Sequence, residues 1–158
     1  MLSDSRPDRK ATGESHQPPA WVSQNATFFI TIACQQRGSA QLTAGKISDD
    51  LFSTVSFYHQ QAKWFPEIFL LMPDHLHALI SFTWDPGAGM TNLIKNWKRY
   101  TATHFGIHWQ RGFNDHRIRS EADHAEKWAY IRDNPVKAGL VEKYHQWPHL
   151  WFPDRIGW

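Results

Sequence analysis

Runs of aromatic and β-branched residues predict the strands of this chain. Residues 27–33, TFFITIA, form the first run, and such side chains favour strands over helices. Residues 68–72 and 75–82 form two further runs, separated by a proline-aspartate pair. The short aromatic segment 108–118, HWQRGFNDHRI, is a candidate fourth strand.

Apolar residues that recur every three or four positions predict three helices. Residues 46–64 and 89–105 each carry one apolar face, and Ser48 is the predicted N-cap of the first helix. A third helix is predicted to begin after Ser120 and to run to about Asn134, where the following proline ends or bends it. The resulting order is that of an α+β, ferredoxin-like split sheet. We expect four antiparallel strands, two helices on one face and an appended C-terminal helix.

The two ends of the chain carry no such periodicity. Residues 1–20 are polar and contain three prolines, which predicts a disordered arm, whereas residues 21–158 are expected to form a single domain. The tail, residues 142–158, is rich in tryptophan and proline, and we expect it to pack across the domain as irregular structure.

Composition limits the class of protein. The 158 residues are 41% hydrophobic, which indicates a folded chain with one core. A single cysteine excludes an internal disulfide and fits a reducing compartment. No apolar run approaches the ~18–20 residues of a membrane span, and the N-terminus lacks a secretory signal, so we expect a cytoplasmic protein. The net charge of +2 permits a nucleic-acid partner but requires local clustering of basic residues.

The strand predicted at 75–82 carries two histidines on either side of one leucine. Alternate side chains of a strand share a face, so His75 and His77 are predicted to point the same way. Two imidazoles this close are either one wall of a core or two ligands of one metal ion, and the spacing alone does not separate these alternatives.

The third predicted helix presents one tyrosine from its polar side. Tyr130 lies roughly opposite the apolar positions, and Asn134 follows one turn later on the same face. Four residues form the predicted apolar stripe: Ala122, Ala125, Trp128 and Ala129. A phenol beside an amide oxygen suits phosphoryl transfer, with one as nucleophile and the other as metal ligand. The alternative is a partly exposed packing tyrosine.

Three motifs, MPDHLHALI, HWQRGFNDHRIR and YIRDNPVKAGLV, stand in this order over roughly residues 25–148. Together they resemble the REP-associated tyrosine transposases, a branch of the IS200/IS605-like single-tyrosine transposases within the HUH endonuclease superfamily. The resemblance implies that His75 and His77 bind a divalent metal, Mg²⁺ or Mn²⁺, that Asn134 is a further metal ligand and that Tyr130 is the nucleophile.

The resemblance also implies a reaction and a partner. The reaction would be cleavage of single-stranded DNA to a 5′-phosphotyrosyl link and a free 3′-hydroxyl, with strand rejoining. The substrate would be a repetitive extragenic palindrome, which is a DNA hairpin, and the protein would act as a monomer or a homodimer. The chain has no GxxxxGK[ST] loop, which agrees with a reaction that conserves bond energy and needs no nucleotide triphosphate.

Basic residues are the predicted DNA contacts. The second helix carries three of them, for which a solvated face is the alternative, and others lie near aromatic residues that suit single strands. The predicted set is Lys95, Lys98, Arg99, Arg111, Arg117, Arg119 and Lys137. Two other functions remain open. One is a hairpin-binding regulator that does not cut, and the other is an RNA-binding ferredoxin-like domain, which the lack of a glycine- and phenylalanine-rich strand motif disfavours.

Overall fold

The computed structural model of the protein describes residues 26–82 and 89–153. The predicted N-terminal arm, residues 1–20, lies outside the described residues.

The described residues contain one five-stranded antiparallel sheet, in the order β4-β1-β3-β2-β5. Its strands are β1 (Thr27–Ala33), β2 (Trp64–Leu71), β3 (His75–Phe82), β4 (Asn114–Arg117) and β5 (Leu150–Trp151). The first four strands have the ferredoxin-like arrangement, so the predicted fold class is confirmed. β5 is a correction, because its two residues pair with β2 in a tail that we expected to be irregular.

Three helices accompany the sheet: α1 (Ile47–Gln60), α2 (Gly89–Phe105) and α3 (Glu121–Lys137). The predicted cap of α1 is wrong, since Lys46 occupies the N-cap position and Ser48 is buried inside the first turn. The predicted cap of α3 is confirmed, because the Ser120 hydroxyl accepts a hydrogen bond from the Asp123 backbone N–H at 3.0 Å. In the described part of the chain, no helix is long and apolar enough to cross a membrane.

Two predicted boundaries shift. β2 begins at Trp64, within the segment predicted to end the first helix, because the Trp64 side chain is fully buried and its indole N–H donates to the Val55 carbonyl of α1. α3 continues past its predicted end through Pro135 to Lys137. Pro135 and Ile131 are both buried, and burial of apolar surface helps to offset the helix hydrogen bond that a proline cannot make.

The two faces of the sheet have different covers. α1 and α2 cover one face with side chains such as Leu51 and Trp97, and this side holds the larger core cluster. α3 covers the other face, where its Ile131 and Trp128 pack with Leu79 of β3. The histidine-bearing side of β3 therefore lies under α3.

The predicted apolar stripe of α3 is wrong in part. Ala122 and Ala125 are exposed, and the helix is buried instead through Ile131 and Pro135, with Trp128 packed against the same cluster. Alanine side chains contribute little buried area. The larger side chains of Trp128, Ile131 and Pro135, spaced three and four positions apart, therefore decide which side of α3 faces the sheet.

Candidate active site

β3 places both histidines on the sheet face that α3 covers. In the antiparallel register His77 lies opposite Thr31 of β1 and His75 lies opposite Ala33. The two imidazole centroids are 4.8 Å apart. His77 is almost fully buried, with 6% of its surface exposed, whereas His75 at the start of the strand is more open.

Each imidazole is held through its Nδ1 atom. Nδ1 of His75 lies 2.7 Å from Oδ1 of Asp74, and Nδ1 of His77 lies 2.9 Å from Oγ1 of Thr31. Among the described residues, Nε2 is then the nitrogen of each ring that remains for another ligand. Metal-binding histidines commonly have such a partner on the second nitrogen, because the partner sets the tautomer and the ring orientation.

The charge state of His77 also suits a metal ligand. Burial, followed by the positive charges of His75 and Arg37, lowers the pKa of His77 to about 3. The ring is therefore neutral near pH 7, with a lone pair available for coordination. Beside it, burial alone would raise the pKa of Asp74, but hydrogen bonds from Gly38, His75 and Arg37 outweigh burial and hold that pKa well below its usual range.

α3 brings its tyrosine to this pair. The Tyr130 ring stands edge-on to His77, with centroids 5.4 Å apart, and edge-on to Phe29 at 5.8 Å. Phe29 in turn stacks on His77 at 5.3 Å. Tyr130 keeps 43% of its surface exposed, so it contacts His77 from a position that solvent also reaches. The structure thus brings together Tyr130, His75 and His77.

Asn134 lies one turn after Tyr130 on α3 and is partly buried. Across residues 26–82 and 89–153 there is no group of three or more His, Cys, Asp or Glu residues placed to hold a metal ion. Two imidazoles whose Nδ1 atoms are already bonded nevertheless fit a divalent ion such as Mn²⁺ through Nε2, with an amide oxygen, water and substrate oxygens as the remaining ligands. Asn134 is the candidate for the amide oxygen.

Known proteins are similar to this chain in sequence and in fold. A protein of Haemophilus influenzae described as a REP-associated tyrosine transposase is 31% identical to this chain, over 79% of this chain and 78% of that protein. The chain belongs to the REP-associated tyrosine transposase family. A second member of the family, from Escherichia coli, is 26% identical over 82% of this chain and 78% of its own length. No family model matches the chain.

A solved structure agrees at the level of the fold. The structure of a REP-associated tyrosine transposase bound to a REP hairpin superposes with a TM-score of 0.70 and 23% identity, covering 87% of this chain and 82% of that chain. The mixed α and β architecture described above is therefore the architecture of this transposase family.

In the present chain, a cleft opens beside Tyr130. Its volume is about 360 Å³, and it runs along α3 over the Phe29 ring. Lys137, one of the predicted DNA contacts, lines this cleft together with Asp133 and Glu126. Of the predicted DNA contacts, Lys137 is thus the residue that the structure places beside the tyrosine.

The remaining predicted DNA contacts lie elsewhere. Lys95 and Arg99 are exposed on α2, on the opposite side of the sheet from the histidine pair. The side chain of Lys98 donates hydrogen bonds to the backbone carbonyls of Gln110 and Gly112, which gives it a structural role in the loop before β4. Three exposed arginines surround that loop and β4: Arg111, Arg117 and Arg119.

Two histidine–carboxylate pairs anchor the start of α3. Nε2 of His116 in β4 lies 2.9 Å from Asp123, and Nε2 of His124 lies 2.6 Å from Glu67 in β2. Burial alone would raise the pKa of Asp123, but hydrogen bonds from His116, Lys127 and the Arg119 backbone N–H outweigh burial and lower it to about 2. Asp123 is thus bound to β4 and His124 to β2, on either side of β1 and β3, which restrains the helix that carries Tyr130.

Sequence reasoning missed the residues that support the site. Asp74 directly precedes His75, so its position in the motif was an available signal. Thr31 and Phe29 gave no such signal, because only the pairing of β1 with β3 brings them beside His77.

Proposed function

We propose that this protein cleaves and rejoins single-stranded DNA at palindromic hairpins through a covalent link to Tyr130, with a divalent metal ion held by His75, His77 and Asn134. One observation carries the proposal. The only tyrosine of α3 lies in ring contact with a buried, neutral histidine, whose strand neighbour is a second histidine on the same face. This contact supports the proposal, because it brings the candidate nucleophile beside the two candidate metal ligands.

The substrate is inferred from the relatives. Two of them are described as REP-associated tyrosine transposases, and the related solved structure contains a REP hairpin. A DNA hairpin with an adjoining single strand is the corresponding substrate for this chain. The tyrosine and both histidines come from the same chain, which supports action as a monomer.

The chemical step is a transesterification. The Tyr130 oxygen attacks the scissile phosphorus and loses its proton to water, a new oxygen–phosphorus bond forms, and the bond to the 3′ oxygen breaks. The departing oxygen takes up a proton to become a 3′-hydroxyl, while the 5′ phosphate stays on Tyr130. Attack by a 3′-hydroxyl on this phosphotyrosine reverses the step and rejoins a strand, so no nucleotide triphosphate is needed.

The residues of the chain divide the remaining tasks. Burial keeps His77 neutral, and Thr31 orients its ring for coordination. A bound divalent ion supplies neutralisation of the charge on the non-bridging phosphate oxygens. Phe29 packs against both His77 and Tyr130, and this contact limits the movement of the tyrosine ring relative to the histidine.

The test is covalent capture. The purified protein is incubated with labelled hairpin oligonucleotides that carry single-stranded flanks, with Mn²⁺, with Mg²⁺ or with EDTA, and the products are resolved on a denaturing gel. We expect a protein–DNA adduct and a shortened strand with a 3′-hydroxyl in the metal lanes and neither in EDTA. If the protein shifts the hairpin on a native gel yet forms no adduct with either ion, it is a hairpin-binding regulator and the proposed reaction is wrong.

A further inference from the structure

The carboxylate of Asp74 connects two groups at the edge of the candidate site. Asp74 lies in the turn between β2 and β3, and its Oδ1 atom is 2.7 Å from Nδ1 of His75. Its other oxygen, Oδ2, accepts hydrogen bonds from Nε of Arg37 at 3.0 Å and from the Gly38 backbone N–H at 2.7 Å. One largely buried carboxylate therefore holds an imidazole on one side and a guanidinium on the other.

The backbone around Asp74 keeps these contacts in place. The Cys34 N–H donates to the Asp74 carbonyl at 2.8 Å, and the Leu42 N–H donates to the Pro73 carbonyl at 3.0 Å, so the chain that leaves β1 wraps this turn. Gly38 has a φ of +87°, a left-handed conformation that side chains other than glycine rarely adopt. This conformation belongs to the turn from which its N–H reaches the carboxylate.

Arg37 is exposed although it is held at one end. Its side chain is 58% exposed, and Nε is the nitrogen that bonds Asp74. Among the described residues, its two terminal nitrogens remain for a ligand. Because the same carboxylate bonds Arg37 and Nδ1 of His75, the guanidinium lies one side chain away from the histidine pair. A planar guanidinium held in this way suits a phosphate oxygen.

We propose that Asp74 is a positioning residue and that Arg37 is a phosphate contact of the site, an inference that rests on the proposed function. The Asp74 carboxylate accepts a hydrogen bond from Nδ1–H of His75, which fixes the tautomer with Nε2 unprotonated and ready for a metal ion. The same carboxylate holds Arg37 beside the histidine pair, where the guanidinium meets a backbone phosphate of the bound strand. Asp74 thus acts on the DNA only through His75 and Arg37, so it is a positioning residue and not a catalytic one.

The first test concerns the tautomer and the metal, without DNA. Nitrogen-15 correlation spectra of the histidine side chains, recorded on the metal-free protein, are expected to give an Nδ1-protonated His75. Asp74→Asn is expected to weaken Mn²⁺ binding, measured by calorimetry, by about 10- to 100-fold, the usual effect of losing a partner of a metal ligand. Glu67→Gln is the matched control, because it alters another histidine–carboxylate pair, and it should leave Mn²⁺ affinity unchanged.

Either of two results would overturn the positioning role of Asp74. An Nε2-protonated His75 in the wild-type protein rejects it, and this spectrum does not depend on whether a variant folds. Wild-type Mn²⁺ affinity in a folded Asp74→Asn protein also rejects it.

The second test concerns Arg37 and is made in EDTA, so that it depends on neither metal nor cleavage. Each phosphate contact adds about one to the slope of log affinity against log salt concentration. Arg37→Gln is expected to reduce this slope for a hairpin oligonucleotide by about one, whereas Lys63→Gln, which removes an exposed cation that lies over Tyr58, should not change it. An unchanged slope in Arg37→Gln rules out the phosphate contact.

The two tests also separate this inference from the proposed function. A wild-type protein that forms no covalent adduct contradicts the proposed reaction, yet the histidine tautomer, the Mn²⁺ affinity and the salt slope still decide the roles of Asp74 and Arg37.

Discussion

The Tyr130 ring stands edge-on over the ring of His77, with centroids 5.4 Å apart and an angle of 71° between the ring planes. The contact joins α3 to the central strand β3, and Phe29 of β1 touches both rings. Because the contact is made by the rings, the tyrosine hydroxyl can be removed without removing this packing.

Replacing Tyr130 by phenylalanine should therefore separate cleavage from binding. The ring contacts with His77 and Phe29 persist, so the melting temperature and the affinity for hairpins should change little. The covalent adduct should disappear, because the substituted ring has no oxygen to attack phosphorus. A native gel measures binding and a denaturing gel measures the adduct.

Tyr100 offers a matched control for that experiment. It is 45% exposed, close to the 43% of Tyr130, but it stacks on His104 of α2 on the other side of the sheet. Tyr100→Phe should retain the adduct. An adduct that survives in Tyr130→Phe and disappears in Tyr100→Phe would show that the nucleophile is Tyr100 on α2 and that its assignment to Tyr130 is wrong.

His77→Ala should affect both metal binding and stability. Loss of the ring removes one of the two proposed imidazole ligands, and Mn²⁺ affinity measured by calorimetry should fall by more than about tenfold, since even the loss of a ligand's partner costs that much. The buried ring also packs on Phe29, so the free energy of unfolding should fall by about 1–3 kcal/mol. Exposed His104 is the control, and His104→Ala with equally weakened Mn²⁺ binding would argue against a specific site.

The Asp123 anchor predicts a dependence of stability on pH. Its pKa in the folded protein is about 2, below the ordinary value of 3.8. A lowered pKa in the folded state stabilises the protein at pH values above the unfolded pKa, and this stabilisation is lost as the pH falls from about 4 towards about 2. Asp123→Asn should thus melt below the wild type at pH 6, and the difference should narrow in acid. A difference that stays constant from pH 6 to about pH 2.5 would show that the charge of Asp123 does not contribute.

Lys98 and Arg99 are expected to differ although they are neighbours on α2. Lys98→Met removes the donor to two loop carbonyls, so the free energy of unfolding should fall by about 1–2 kcal/mol. Arg99→Met, at an exposed position, should change stability by less than about 0.5 kcal/mol. Chemical denaturation of both variants makes the comparison, and equal stabilities would contradict the structural role of Lys98.

Several features of the site and the fold could be predicted from residues that are close together in the sequence. The order of strands and helices follows from apolar periodicity, and Ser120 caps α3 because its hydroxyl satisfies a free N–H of the first turn. His75 and His77 share a face because side chains alternate along a strand whatever surrounds it. These features depend on residues close together in sequence, so the sequence by itself determined them.

Other features depend on contacts between distant segments, and only the tertiary structure decided them. The buried side of α3 is set by how Ile131 packs against side chains of β2 and β3, and not by the alanines that share a helical stripe with Trp128. Lys98 became a support of the loop before β4 because that loop returns beside α2.

The supports of the histidine pair have the same origin. Thr31 reaches His77 through the register of β1 against β3, and Arg37 reaches Asp74 because the chain after β1 folds over the β2–β3 turn. Local periodicity describes which side of an element is apolar, but it carries no information about which partner that side meets. The packing of the whole sheet determines the partner, and with it the neighbours of Tyr130.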